Sequence, residues 1–356
     1  MKKVLFALLI LIMSFSLTSC LGLETLFPDT VEEEPDVVQL ENTVTDIYDK
    51  VSPGCVGIYA TNSTNGASVG SGVVYKEENG TYYLVTNNHV VKGMTTFKVY
   101  RGGSKYYRAT VVGTDSHNDI AVLTFSLDLL GGTDVYVNDI FSYDEEIVKV
   151  GQTAIAIGCP LGLENFNTLT TGVVSRVSKT EIQTNAEINP GNSGGGLFNL
   201  SGRLIGINTE KKTYTTATDE NGQTSQIPVE GIAYAIPLSI VKKCITDIEE
   251  SKGDIARPKL GITVTAINRY VSDSTYVKHL PNSNDAGIIV VDAGSGVAYN
   301  AGLKVNDIIL SMNNEEVYNL DDLSYIMSQV KVGDTVKLNV YRSSTGKTLE
   351  LSITLV

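Results

Sequence analysis

The chain is poor in the side chains that build metal and redox centres. Its 356 residues hold three histidines and four cysteines. So few histidines exclude a histidine-rich metal site, and the cysteines show no metal-ligand spacing. No metal or other cofactor is expected. Cys55 and Cys159 lie in apolar runs and Cys244 in a helical pattern, so all three read as buried, inert thiols. Charge is also scarce, at 19% of residues, and it is acidic in balance, with a formal net charge of -13 and a pI of about 4.7. An acidic surface excludes nucleic acid as the expected partner. What the chain does have is glycine (33), tyrosine (18) and 42% hydrophobic residues. That profile fits an extracytoplasmic, β-rich protein of two domains with sizeable cores.

Residues 1–20 read as a targeting segment. Lys2 and Lys3 precede an apolar run from Val4 to Leu17. The run is too short to span a bilayer comfortably and has the charged start of a secretory signal. The following Leu17-Thr18-Ser19-Cys20 resembles a bacterial lipobox. That resemblance implies cleavage before Cys20, diacylation of its thiol and anchoring at the extracytoplasmic face of the cell membrane. Residues 21–40 carry Glu32, Glu33, Glu34 and Asp36 around Pro35, an extended, solvated tether. A short helix is expected over 41–51, with Val44, Ile47 and Val51 on one face.

From Cys55 the pattern is β. One series reads V-G-I-Y-A, G-S-G-V-V-Y, Y-Y-L-V-T, F-K-V-Y, Y-R-A-T-V-V and I-A-V-L-T-F. A second starts near residue 147 with I-V-K-V and T-A-I-A-I-G and ends with R-L-I-G-I-N and I-A-Y-A-I. Short strands at near-regular spacing predict barrels or sandwiches, here as two six-strand units. A helix over Pro237–Lys252 closes this region, with Leu238, Val241, Ile245 and Ile248 on one face.

The second unit contains E-I-N-P-G-N-S-G-G-G-L over residues 187–197. A single serine, Ser193, stands among Gly191, Gly194, Gly195 and Gly196. A hydroxyl attacks a carbonyl only with a base to take its proton and backbone amides to hold the developing oxyanion. A glycine loop supplies exposure and amides; it is equally compatible with a plain surface turn. Three histidines compete for the base. His89 ends the apolar strand Y-L-V-T-N-N-H-V-V, His117 sits in the polar turn D-S-H-N-D, and His279 lies far downstream. For the orienting acid, Asp119 leads straight into Ile120-Ala121-Val122-Leu123, where an unpaired carboxylate is costly; Asp115 is the rival. The order His89, Asp119, Ser193 is one of the known triad orders.

T-N-N-H-V-V, N-D-I-A-V-L and N-P-G-N-S-G-G together resemble the HtrA (Deg) family of trypsin-like serine proteases. The likeness extends over nearly all of residues 50–356. It implies a mainly β, double six-stranded barrel over 41–253, with His89, Asp119 and Ser193 as the triad and the Gly191 and Ser193 amides as the oxyanion hole. It also implies a small-to-medium apolar residue before the scissile bond. Asn185 and Glu187 depart from the family pattern. The polar stretch between Glu210 and Gly231 falls where similar proteins shape specificity. After a linker at 254–258, residues 259–356 resemble an HtrA-type PDZ domain, an α+β fold. There the amides of Leu260, Gly261 and Ile262 would hold a peptide's terminal carboxylate, and the strand from Ile262 would accept the peptide as an added strand. Leu323 and Met327, on an amphipathic segment over 320–329, suit core packing and groove lining equally.

The expected function is a membrane-anchored serine endopeptidase that removes misfolded envelope proteins, regulated by C-terminal peptides at the PDZ domain and assembled as a homotrimer. A non-catalytic peptide-holding chaperone of the same fold and a signalling protease with one membrane-protein substrate are the alternatives. The lipid anchor has a direct check. A salt wash should release a Cys20→Ala protein from membranes and leave the parent bound; a variant that stays bound overturns the anchor.

Overall fold

The computed structural model of the protein describes residues 37–127, 135–144, 147–211, 214–218, 224–228, 230–271 and 274–356. The signal segment, Cys20 and most of the tether lie outside them. Helix α1 (Val37–Val51) starts ahead of the expected residue 41. It buries Ile47 and Val51 in the protein's largest apolar cluster, with Val44 and Tyr48 packed alongside. Among the described residues, no helix is long and apolar enough to cross a membrane.

Strands β1 (Cys55–Thr61), β2 (Ala67–Glu78), β3 (Thr81–Thr86), β4 (Thr96–Tyr100), β5 (Tyr106–Asp115) and β6 (Ile120–Ser126) close into a barrel in the order β1-β2-β3-β6-β5-β4. A short helix, α2 (Asn88–Val91), follows β3. Strand β6 shows why its run is apolar on both sides. Successive side chains point to opposite faces. Ala121 and Leu123 fill the barrel with Val56, Ile58 and Leu84. Ile120 and Val122 face outward into a second cluster shared with Ile155, Ile157 and Phe198. Both faces being dry over Ile120–Leu123, that stretch carries no polar residue; alternation begins at Thr124, where one face is no longer buried.

The second barrel is made by β7 (Thr153–Gly158), β8 (Thr168–Val177), β9 (Ile182–Thr184), β10 (Gly196–Phe198), β11 (Leu204–Lys211) and β14 (Ala233–Pro237). The expected strand I-V-K-V at 147–150 is not one of them. Ile147 and Val150 are exposed, and the backbone turns on itself there, with Gln152 N donating to the Lys149 carbonyl (3.1 Å) ahead of Gly151 at φ 88. Conversely, the polar stretch after Glu210 holds a hairpin, β12 (Tyr214–Thr218) with β13 (Thr224–Pro228). Helix α3 (Leu238–Ser251) buries Leu238, Val241, Cys244, Ile245 and Ile248 at helical spacing and ends on Lys252 in the left-handed region.

The segment after α3 is stitched to the first barrel. Ile255 N donates to the Thr114 carbonyl (2.7 Å), and Thr114 N and Oγ1 both donate to Asp254 (2.9 Å each). Arg257 then enters a buried ion cluster. Its Nε meets Asp115 Oδ2 at 2.8 Å and its Nη2 meets Asp247 Oδ2 at 2.9 Å, with all three side chains at most 3% exposed. Residues 263–354 form a sheet in the order β15 (Thr263–Asn268), β16 (Ala286–Asp292), β17 (Asp307–Met312), β19 (Thr335–Arg342), β20 (Lys347–Thr354), with β18 (Glu315–Glu316) on β17. A short helix α4 (Val297–Asn300) precedes β17. Helix α5 (Leu320–Gln329) is capped by Asn319, whose side chain accepts from Asp322 N at 3.0 Å. Lys331 Nζ reaches Asp247 Oδ1 at 3.0 Å, and Lys179 Nζ reaches Asp322 Oδ1 at 3.1 Å, so this domain is ion-paired to α3 and to the second barrel.

The buried cluster makes a stability prediction. Burial by itself would raise the Asp115 carboxyl, but the Arg257 charge and the Asn118 donors outweigh it and hold it below the ordinary 3.8. Asp247 is likewise lowered, by Lys243 and Lys331 against its own burial. A depressed native value contributes stability above the unfolded value and loses it as pH falls through the native one. Arg257→Ala strands Asp115 and should cost roughly 3–5 kcal/mol in urea unfolding at neutral pH. The gap between parent and variant should narrow below about pH 4. A pH-independent loss under about 1 kcal/mol would show that the pair contributes no more than a surface one.

Candidate active site and peptide groove

His89 sits on α2, placed there by the end of β3. Asp119 lies in the turn joining β5 to β6, with φ 55. Aspartate tolerates this left-handed geometry better than most residues. The conformation is pinned: the Asp119 carbonyl accepts from Asn88 N (3.1 Å) and Asn87 Nδ2 (3.0 Å). Its carboxylate accepts from His89 N (2.9 Å) and His89 Nδ1 (2.7 Å). An ionised carboxylate only accepts, which puts an imidazole proton on Nδ1; in the neutral ring the lone pair is then on Nε2. The two rival candidates are placed elsewhere. Asp115 points inward to Arg257, and His279 Nδ1 pairs with Ser343 Oγ at 2.9 Å. His117 is exposed in the same turn as Asp119.

Ser193 comes from the loop ahead of β10. That loop needs glycine where it passes under neighbouring backbone. Gly191 has φ 98, and a Cβ there would lie 2.2 Å from the Cys159 carbonyl oxygen; Gly194 has φ 87, and a Cβ would lie 2.1 Å from that of Ser71. The amides of Asn192, Gly194 and Gly195 are taken by Asn189, Asn208 and Asn192 carbonyls. Among the described residues, no acceptor takes the amides of Gly191 or Ser193. The Pro190 carbonyl accepts from Leu161 N (2.6 Å). A trans peptide sets its C=O and N–H in opposite directions, so the Gly191 N–H points away from that bond.

Two residues that sequence reasoning did not single out organise the site. Thr209 Oγ1 donates to Asp119 Oδ2 (3.0 Å), and the Thr209 carbonyl accepts from Ser193 Oγ (2.9 Å). One residue of β11 therefore joins serine, aspartate and, through the aspartate, histidine in one hydrogen-bonded set. In this arrangement the single serine proton is directed at Thr209 rather than at the imidazole. Ser71, fully buried on β2, donates from Oγ to the Gly191 carbonyl (2.7 Å) and accepts from Cys159 N (2.9 Å). Its own amide donates to the Ser193 carbonyl (2.8 Å). The hint in the sequence was a serine between Gly70 and Gly72, directly ahead of the apolar run Val73–Tyr75.

A cavity of about 340 Å³ is lined by Asn185, Ala186, Glu187, Ile188 and by Glu230–Ala233. The two departures noted above are thus at its wall. Asn185 Oδ1 accepts from Val173 N (2.7 Å), and Glu187 Oε1 from Asn189 Nδ2 (2.9 Å). A groove of about 560 Å³ runs between β15 and α5, bordered by Leu260, Gly261, Ile262 and Val264 on one side and Leu320, Leu323 and Met327 on the other. Leu323 and Met327 serve both readings, since each also packs in the domain core. Among the described residues, the amides of Leu260, Gly261 and Ile262 have no acceptor. Gly261 has φ 71, which turns the backbone ahead of β15.

Two closed barrels with a serine loop at their junction define the trypsin-like class, and a following PDZ fold narrows it. Comparison with known proteins agrees. Residues 70–207 match the trypsin-like peptidase domain family and residues 258–355 the PDZ domain family. The chain is 35% identical over 334 residues to the serine protease Do-like HtrA of Lactococcus lactis, covering 88% of this chain and 78% of the relative. It is 35% identical to a probable periplasmic serine endoprotease, DegP-like, of a Marinomonas species, covering 81% and 57%. Among solved structures, the HtrA-type protease AlgW with a tripeptide superposes with a TM-score of 0.66 at 27% identity, covering 87% of this chain and 96% of that one. The chain belongs to the HtrA family of serine proteases.

Thr209 offers a test of the site's organisation. Thr209→Val keeps the β-branched shape and the carbonyl but removes the donor to Asp119. A hydrogen bond to a charged group is worth roughly 1.5–3 kcal/mol, so kcat/KM should fall by about tenfold to a hundredfold with the fold intact. Unchanged kcat/KM would show that the bond does not hold the aspartate in place.

Proposed function

We propose that this HtrA-type serine protease is an endopeptidase whose triad is His89, Asp119 and Ser193, with the Gly191 and Ser193 amides as its oxyanion hole. The observation that carries the reading is the continuous set Ser193–Thr209–Asp119–His89 beside two amides that have no acceptor among the described residues. Substrate binding turns the Ser193 hydroxyl from Thr209 to His89 by rotation about one side-chain bond. His89 Nε2 takes the proton as Oγ attacks the scissile carbonyl carbon. The carbonyl oxygen becomes an anion between the two amides, where each donor is worth roughly a hundredfold to a thousandfold in rate. His89 then gives the proton to the leaving amine. Water repeats the sequence on the acyl-enzyme. Asp119 holds the imidazole in the Nδ1–H tautomer and stabilises the cation formed in each half-reaction.

The groove between β15 and α5 receives the C-terminus of a peptide. The peptide's carboxylate sits on the amides of Leu260, Gly261 and Ile262, and its apolar last side chain lies against Leu323 and Met327. Binding there regulates or delivers. Misfolded or specific envelope proteins are the substrates, cut after small-to-medium apolar residues. The protein is anchored through a diacylated Cys20 on the extracytoplasmic face and works as a homotrimer.

The parent protein should hydrolyse casein and take up a fluorophosphonate label, and Ser193→Ala should do neither. A Ser193→Ala protein that still cleaves casein would overturn the triad. A parent that neither cleaves nor labels, yet suppresses aggregation of an unfolded protein, would leave a peptide-holding chaperone.

A further inference from the structure

We propose that His117, a residue of the first barrel, is part of the peptide groove, and that the turn Asp115–Asp119 carries occupancy of the groove to the triad acid. The inference rests on the reading of that groove as a site for C-terminal peptides. It adds a contact from outside the PDZ domain and a route from that contact to the catalytic centre.

The groove is not built by the PDZ domain alone. His117 lines the same cavity as Pro258, Lys259, Leu260 and Met327. The turn that carries His117 is fixed beside the start of the groove wall, and the reason is covalent. Arg257, whose Nε sits 2.8 Å from Asp115 Oδ2, is followed directly by Pro258, the first groove residue. The wall that begins at Pro258 therefore starts beside the turn, while Val264 lies farther along. From the turn an imidazole N–H can donate to a free carboxylate held on the Leu260–Ile262 amides, a charge that a C-terminal amide lacks. Lys259 and Asp292 also line the cavity. The cation of Lys259 favours the anionic peptide end, and Asp292 disfavours it.

The turn itself is a single hydrogen-bonded piece. Asp115 Oδ1 accepts from His117 N and Asn118 N, each at 3.1 Å, and Asp115 Oδ2 accepts from Asn118 Nδ2 at 2.9 Å. Asp119 follows at once, in a left-handed conformation pinned by Asn87 and Asn88 beside His89. A displacement of His117 pulls on amides that share one carboxylate oxygen. Asp115 cannot follow, because Arg257 and the Cys244 thiol (3.3 Å) hold it. The strain passes along residues 118 and 119, and because Asp119 is itself bonded to Asn88 and His89 it reaches the imidazole. A few tenths of an ångström there changes the imidazole's aim, which is where rate is most sensitive to position.

The test uses the full chain carrying Ser193→Ala, so that the probe is not cut. The probe is a fluorescent peptide ending in valine, as free acid and as C-terminal amide. The free acid should bind the parent background more tightly than the amide. His117→Ala should weaken the free acid by about tenfold, the worth of one charge-assisted bond, and leave the amide unaffected. His117→Gln, which keeps an N–H donor, should restore most of the loss. Equal binding of acid and amide to the parent overturns the groove reading itself. Preference for the acid that is identical with and without His117 overturns only the present inference. Coupling is read separately with Ser193 intact, as the fluorophosphonate labelling rate with and without saturating peptide. The peptide should change the rate in the parent and not in His117→Ala. A change retained in the variant, or none in the parent, overturns the transmission through the turn.

Discussion

The candidate site depends on two barrels meeting at a fixed distance, and Ser71 is one of the residues that hold them. Its hydroxyl is satisfied twice, by the Gly191 carbonyl and the Cys159 amide, and its amide takes the Ser193 carbonyl. A buried polar group is expensive unless all of its bonds are made. The Ser71 hydroxyl and amide make theirs to the other barrel, while its carbonyl accepts from Thr86 in its own. The penalty for separating the barrels at this point is therefore high. The serine loop comes from one barrel and the histidine and aspartate from the other, so the site exists only while that contact does. Thr209 does the same work from the opposite direction, reaching out of the second barrel to the carboxylate of the first.

Much of this was legible in the residue order. Each strand of the first barrel was visible as a short apolar run because the barrel is dry inside and, on the side of β6, outside as well. The serine loop was visible because glycine at 191 and 194 has no substitute where another backbone passes within van der Waals contact. Asp119 was preferred over Asp115 as the orienting acid, and the geometry has Asp119 against the imidazole. The residues that escaped notice are those whose importance is in long-range partners. Nothing local marks Ser71 or Thr209 as more than ordinary β-strand residues; their partners lie 120 and 90 positions away in sequence. The strand expected at 147–150 failed for the converse reason. Its alternation is real, but no barrel position is left for it, and the backbone closes into a turn. The hairpin after Glu210 was passed over because its residues are polar, although the Asn221-Gly222 pair is a turn signal in its own right.

The linker illustrates how a sequence of no obvious distinction acquires a structural role. Residues 254–257 look like a spacer between domains. They are instead added to the end of β5, through Thr114 on the backbone side and Asp115 on the side-chain side. The arginine is fully desolvated, which is tolerable because its planar head spans two carboxylates at once. Attachment of the PDZ domain to the protease is thus a matter of a buried arginine at one point and of half-exposed lysines reaching Asp247 and Asp322 at others. The first kind is rigid, and the second yields to salt and to competing partners.

The three thiols of the described chain are all out of solvent, Cys55 and Cys244 with their pKa driven up by burial and Cys244 turned toward Asp115. A thiol reacts as its thiolate and only where an oxidant can touch it. Among the described residues, the folded chain presents neither. Its vulnerability to oxidation belongs to the interval before the barrels close, when three unpaired sulfurs are open to one another and to the surroundings.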